Sequence, residues 1–271
     1  MKDNEISKSI NNYINYTNRC QQIKICMNPI EYLNGLKKSN YFEVINKFCK
    51  SEKVFHNIIK NIQNMLIMGY INYSNTNNSN QILYRVVSKV ELDYLKEHGI
   101  VNEFLSTFKY CNNEMKNFLS YTQSNDKYNY LLSLYVKGNI PSIDTYKCAN
   151  PLYEANEIIL IPSFKISNLD EIYNDNNLIT MSADIISNIQ IENIPYSILL
   201  DYYNEIVKDI NIYSKYIEQY LLNKNDIFSC NEYIIWANKL KDYINMLNKY
   251  IGYNVLENEI NIDNYQKIKV I

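Results

Sequence analysis

Ile82-Leu83-Tyr84-Arg85-Val86-Val87 runs straight into Ser88-x-x-Glu91, then Leu92, Leu95 and Gly99. The first six residues are β-branched, aromatic or aliphatic, the composition of a buried strand. Ser88 with Glu91 three places on is a capping box, so a helix begins there. Leu92 and Leu95 give that helix one apolar side, and Gly99 closes it. A strand that feeds a helix marks the start of an α+β core.

Further strands are expected downstream at Glu103 to Phe108, Tyr130 to Val136, Glu157 to Ile161, Ser163 to Ile166 and Leu178 to Ala183. A helix is expected over Asn112 to Ser120. Upstream, Asn72 to Asn80 is the clearest polar linker in the chain. Before it, Ile6, Ile10 and Tyr13 repeat at helical spacing, as do Phe55, Ile58, Ile59, Ile62, Leu66 and Ile67. Asn28-Pro29 reads as N-cap and first residue of a helix through Leu36. Past Pro195 two long helical patterns follow, at about 196–222 and 230–251. The expected organisation is therefore a helical segment over 1–76, a β-rich core over 77–194 and a helical segment over 195–271.

The chain has 271 residues and 46% hydrophobic content, enough for a sizeable core without disulfides. Its formal charge of −2 leaves no basic excess for bulk binding of nucleic acid. The five Gly are too dispersed for G-x-G-x-x-G or a P-loop. Two His and six scattered Cys give no metal-binding pattern, so no metal is expected. No apolar run is long enough to span a membrane. The N-terminal Met1-Lys2-Asp3-Asn4-Glu5 lacks the basic-then-apolar run of a signal peptide. An intracellular protein with reduced thiols is the expectation.

Asn, Ile and Tyr number 44, 41 and 27, and only Arg19 and Arg85 are Arg among 27 basic residues. AT-rich coding accounts for that bias and would suit an effector or a virus-encoded protein. The same bias removes Arg, so Arg85 on a core strand stands out. A guanidinium fork grips phosphate bidentately, which Lys cannot do. Alternatively it meets solvent or a structural carboxylate. Ser106-Thr107 within Phe104-Leu105-Ser106-Thr107-Phe108 is ordinary strand material when taken alone. Glu157 opens the apolar run Ile158-Ile159-Leu160-Ile161-Pro162, where a carboxylate either meets solvent or sits at the mouth of a cleft.

Together, in this order and separated by 21 and 51 residues, Tyr84-Arg85, Phe104-Leu105-Ser106-Thr107 and Glu157 with its strand resemble the Arg–Ser–Glu branch of the ADP-ribosyltransferases. This branch includes bacterial toxins and ecto-enzymes. The resemblance covers roughly residues 80–185. It implies two packed sheets around an NAD cleft, with flanking helices. It also implies that Arg85 holds an NAD phosphate, that Ser106 orients Glu157, and that Glu157 stabilises an oxocarbenium-like transition state as nicotinamide leaves. Tyr84, Thr107, Phe108 and Tyr110 are expected to complete the NAD site, with Phe108 or Tyr110 stacking on nicotinamide. Tyr153, Glu154 and Ala155 are expected to face the acceptor.

Ala155 stands where the family uses Glu or Gln, Phe108 replaces the third residue of Ser-Thr-Ser, and Val86 replaces a small residue. A protein or other macromolecule is the expected acceptor, with transfer to arginine disfavoured. Water as acceptor, in an NAD glycohydrolase, is the alternative. A degenerate member retained for protein interaction is another. The Tyr-rich C-terminal helices read as packing surface or as a docking module for a partner.

Overall fold

The computed structural model describes residues 5–15, 18–31, 51–110, 129–148, 157–175, 178–213, 215, 231–260, 262–268 and 271. They form two compact units, one of residues 68–189 and one of residues 3–67 with 190–271. The expected helix at Asn112 to Ser120 and residues 32–36 lie outside the described residues.

The second unit is helical. It holds α1 (Glu5–Ile14), α2 (Asn18–Met27), the short α3 (Pro29–Glu31), and most of α4 (Glu52–Asn75). Much later in the chain come α7 (Tyr196–Lys208), α8 (Asn231–Leu256) and a 3₁₀ turn over Ile262–Lys267. The expected stripe Ile6, Ile10 and Tyr13 is buried, and so is the stripe from Phe55 to Ile67. Trp236 is buried, donates its indole N–H to the Ile206 carbonyl at 3.2 Å, and stacks on Tyr213. Tyr203 lies between Phe55 and Tyr243. These helices are therefore packed by aromatic side chains whose polar tips need partners. Among the described residues, no helix is long and apolar enough to cross a membrane.

The first unit carries the sheet: β1 (Ile82–Val87), β2 (Ile100–Val101), β3 (Leu105–Phe108), β4 (Asn129–Lys137), β5 (Ser142–Asp144), β6 (Glu157–Leu160), β7 (Phe164–Asp175) and β8 (Leu178–Ser187). The helices α5 (Lys89–His98) and α6 (Thr145–Cys148) lie between strands. The described strands pair in the order β2-β7-β8-β4-β1-β3-β6-β5. The β4–β8 pair is parallel and the others are antiparallel, so the sheet is mixed. β1 and β3 share the single register pair Tyr84↔Phe108. Where two packed sheets were expected from the sequence, the described strands form one hydrogen-bonded sheet, its two halves joined at that pair. Leu83, Val87, Leu132 and Leu134 from one half and Leu105, Ile158 and Leu160 from the other belong to one core.

The N-cap half of the capping box forms, while the Glu91 carboxylate engages Arg85. Ser88 Oγ accepts from the Glu91 amide at 3.2 Å, and Gly99 takes the left-handed conformation (φ 64°) that only Gly adopts without strain. The linker reading is corrected at its start. Helix α4 continues through Asn75, because Ser74 and Asn75 donate side-chain hydrogen bonds to Ile71 O and Thr76 to Asn72 O. Nor is the rest a free tether. Asn78 is buried, with its amide on Ile140 O at 2.7 Å and its Oδ1 accepting from Ile140 N. β7 runs on to Asp175, well past Ile166, its polar residues pairing with β8 across register shifts where Asn168 takes φ 53°.

Gly69, near the end of α4, has a sharp packing requirement. A Cβ there would lie 2.1 Å from Ile161 Cγ1 and 2.3 Å from its Cδ1. Ile161 is fully buried and β-branched, so it has little freedom to move aside. Gly69→Ala is expected to destabilise the protein by about 1–3 kcal/mol. Urea unfolding checks this. Adding Ile161→Ala should cost less in that background than in the wild type. Additive losses would mean that the two sites are not in conflict.

Candidate active site

The three motif strands are consecutive in the sheet: β1, β3, β6. Residues separated by 21 and 51 positions are thereby brought onto neighbouring strands. β3 and β6 pair through Leu105↔Leu160, Ser106↔Ile159, Thr107↔Ile158 and Phe108↔Glu157. Opposed residues of an antiparallel pair share a face. Ser106, Phe108, Glu157 and Ile159 therefore project to one side, with Ser106 and Glu157 as diagonal neighbours. Both are buried, Glu157 with 5% of its surface exposed.

Arg85 reaches the β3 main chain from β1. Its Nη1 donates to the Ser106 carbonyl at 2.6 Å, while Nε and Nη2 both donate to Glu91 Oε1 at 2.9 and 2.7 Å. The side chains of Arg85 and Glu91 are 15% and 12% exposed. β1 and β3 share only the pair Tyr84↔Phe108, and the guanidinium adds a side-chain link from β1 to the β3 carbonyl at Ser106. Glu91 comes within reach because α5 starts immediately after β1. As the third helical residue it also lies in the first turn, where negative charge is favoured.

Strand alternation places Arg85 with Leu83 and Val87, and Tyr84 on the opposite face. Through Tyr84↔Phe108, Tyr84 shares the face of Ser106 and Glu157, so Arg85 leaves β1 on the other face and is joined to Ser106 only through its main-chain carbonyl.

The other expected site residues divide. Thr107 is fully buried, and its hydroxyl donates to the Ile158 carbonyl at 2.7 Å, so it ties β3 to β6. Phe108 packs with Leu131, Tyr84 and Val86 in a small apolar cluster on the motif face. Tyr110, just after β3, is 62% exposed. Tyr153, Glu154 and Ala155 lie outside the described residues.

Three neighbours were not picked out from the sequence. Glu91 was legible as a cap residue, and its place six residues after Arg85 at a helix start was the available signal. Lys109, which donates to Asp144 Oδ2 at 2.7 Å, carried none. Thr145, whose hydroxyl donates to the Glu157 carbonyl at 3.0 Å, carried none either.

No protein-family model matches the chain. No curated protein matches it either. Among solved structures it is similar to Plx2a, an ADP-ribosyltransferase toxin from Paenibacillus larvae, with 12% identity and a TM-score of 0.36, covering 69% of this chain and 88% of that one. A second is the ADP-ribosylating toxin BECa of a binary enterotoxin of C. perfringens, with 15% identity, a TM-score of 0.33, and 89% and 60% coverage. A third is the ADP-ribosyltransferase Vis, with 11% identity, a TM-score of 0.35, and 69% and 87% coverage.

Proposed function

We propose that this chain is an NAD-dependent mono-ADP-ribosyltransferase whose chemistry lies in residues 77–194. One observation carries the reading: the strands of Arg85, Ser106 and Glu157 are consecutive, with Ser106 and Glu157 diagonal on one face and Arg85 bonded to the Ser106 carbonyl. In this reading Arg85 meets an NAD phosphate with a fork already organised by Glu91 and the Ser106 carbonyl. Ser106 orients the Glu157 carboxylate. Glu157 lies against the nicotinamide-side ribose and stabilises the positive charge that builds there as the bond to nicotinamide breaks. Little water reaches that carboxylate, so the charge interaction is strong.

Tyr84 and Phe108 form the apolar wall of the site, and Tyr110 stands at its rim. Tyr153, Glu154 and Ala155 are proposed to contact the acceptor, which we take to be a protein. A second reading has a specific basis in the sequence. Ala155 cannot supply the Glu or Gln that engages acceptors, which favours water and an NAD glycohydrolase. Residues 195–271 are proposed to serve a protein partner. The setting is proposed to be intracellular, the host cytoplasm in the case of an effector. The buried thiols of Cys26 and Cys148 support that setting.

Incubation with labelled NAD, with and without cell lysate, tests this. Label on macromolecules is the expected result. Free ADP-ribose with no labelled acceptor moves the reading to hydrolysis. No loss of NAD and no NAD-induced thermal shift sinks both.

A further inference from the structure

We propose that Thr145 is a positioning residue for Glu157, a role that rests on the catalytic reading of Glu157 given above. Glu157 is the first residue of β6, where a ladder ends and a backbone is least restrained. On one side β6 is held by β3. On the other, β5 pairs with it through Ser142↔Leu160, Ile143↔Ile159 and Asp144↔Ile158. There the β5 ladder stops, and the chain turns into α6. Thr145, the next residue, continues the pairing with its side chain, donating its hydroxyl to the Glu157 carbonyl at 3.0 Å. Thr107 does the same to the following carbonyl, Ile158, from the β3 side at 2.7 Å. Two fully buried threonines therefore clamp consecutive carbonyls at the head of β6 from both flanks.

Thr145 is itself braced. Asn72 at the end of α4 donates to the Ser142 carbonyl at 3.1 Å, and Asn78 donates to Ser142 Oγ at 3.0 Å. Lys109 holds Asp144. β5, which leads into Thr145, is thus fixed to the end of α4 and to the residue after β3. Thr145 is buried to 0% exposure, so it does not touch the substrate. Its effect must pass through the aim of Glu157. A reacting group displaced by about 1 Å loses on the order of 10²-fold in rate, whereas binding through other groups survives.

The test compares Thr145→Val, which keeps the shape and removes the hydroxyl, with Thr145→Ser, which keeps the hydroxyl. Thr145→Val is expected to lower kcat for NAD cleavage by roughly 10- to 100-fold at unchanged KM. Thr145→Ser should recover most of that loss. Equal kcat in Thr145→Val and wild type overturns the proposal, as do equal losses in both variants. Should Thr145→Val lose cooperative unfolding, Thr145→Ala takes its place. Amide hydrogen exchange across residues 157–160 supplies a readout that needs no activity. It should quicken in Thr145→Val and not in Thr145→Ser. A wild type that leaves NAD intact removes the catalytic reading alone, and exchange then decides the clamp: unchanged rates across 157–160 overturn it.

Discussion

Glu157→Gln is expected to slow NAD cleavage by roughly 10²–10³-fold, the effect of removing one preorganised electrostatic group from a developing charge. The substitution keeps the side chain's size and its capacity to accept a hydrogen bond from Ser106. It removes the negative charge and turns one acceptor oxygen into an NH2 donor. Ground-state NAD has little positive charge on the ribose compared with the transition state, so the NAD-induced thermal shift should stay close to that of the wild type. A loss confined to kcat is the mark of an interaction made in the transition state.

Stability should hold or rise in the same variant. Glu157 is buried at 5% exposure, and a neutral amide costs less to desolvate there than a carboxylate. Single-turnover nicotinamide release, read beside the thermal melt, checks all three expectations. Turnover within threefold of wild type would remove Glu157 from the chemistry. A collapse of the melt would show that its role is structural.

The sequence exposed those parts of the fold that depend on local physics. Ser88, Glu91 and Gly99 bracket α5 because cap chemistry acts within a few residues. Ile82 to Val87 reads as β1 because its composition is all strand-forming. β5 and β2 were hidden, since three and two residues are too few to show alternation. The far half of β7 was hidden for another reason. Ser167 to Asp175 is polar enough to read as a loop, and it is a strand only because β8 lies beside it.

The site divides in the same way. Arg85, Ser106 and Glu157 are visible as an ordered trio, and the adjacency of β1, β3 and β6 follows from no one of them alone. What holds them is not visible. Glu91 engages Arg85 because the chain turns at Ser88, and Thr145 reaches Glu157 because β5 ends one residue earlier. Such contacts depend on strand register, and register is a tertiary property. Nor does the chain's Asn content distinguish Asn72 and Asn78 from 42 others, although these two brace β5.

Arg85 should show two separable losses, one of fold and one of binding. Arg85→Ala leaves Glu91 at 12% side-chain exposure without the two N–H donors that now satisfy one of its oxygens. Removing one member of a buried pair costs about 3–5 kcal/mol, because the other charge stays desolvated. A drop in melting temperature of roughly 10 °C follows for a unit of this size. Adding Glu91→Gln should restore part of that loss, since the amide needs no counter-charge. The double-mutant cycle isolates the coupling.

Arg85→Lys separates the second loss. A lysine can still face Glu91 with a positive charge, so the melt should fall by less than in Arg85→Ala. One ammonium cannot keep Glu91, the Ser106 carbonyl and a phosphate in a fixed planar arrangement. NAD affinity should therefore fall by about tenfold or more, the equivalent of one charge-assisted hydrogen bond. Titration of NAD against thermal stability in the three variants reads both quantities at once. If Arg85→Lys binds NAD as the wild type does, a point charge suffices and the fork has no special part in phosphate binding. If Arg85→Ala melts with the wild type, the pair with Glu91 is energetically neutral and the junction of β1 and β3 is held by other contacts.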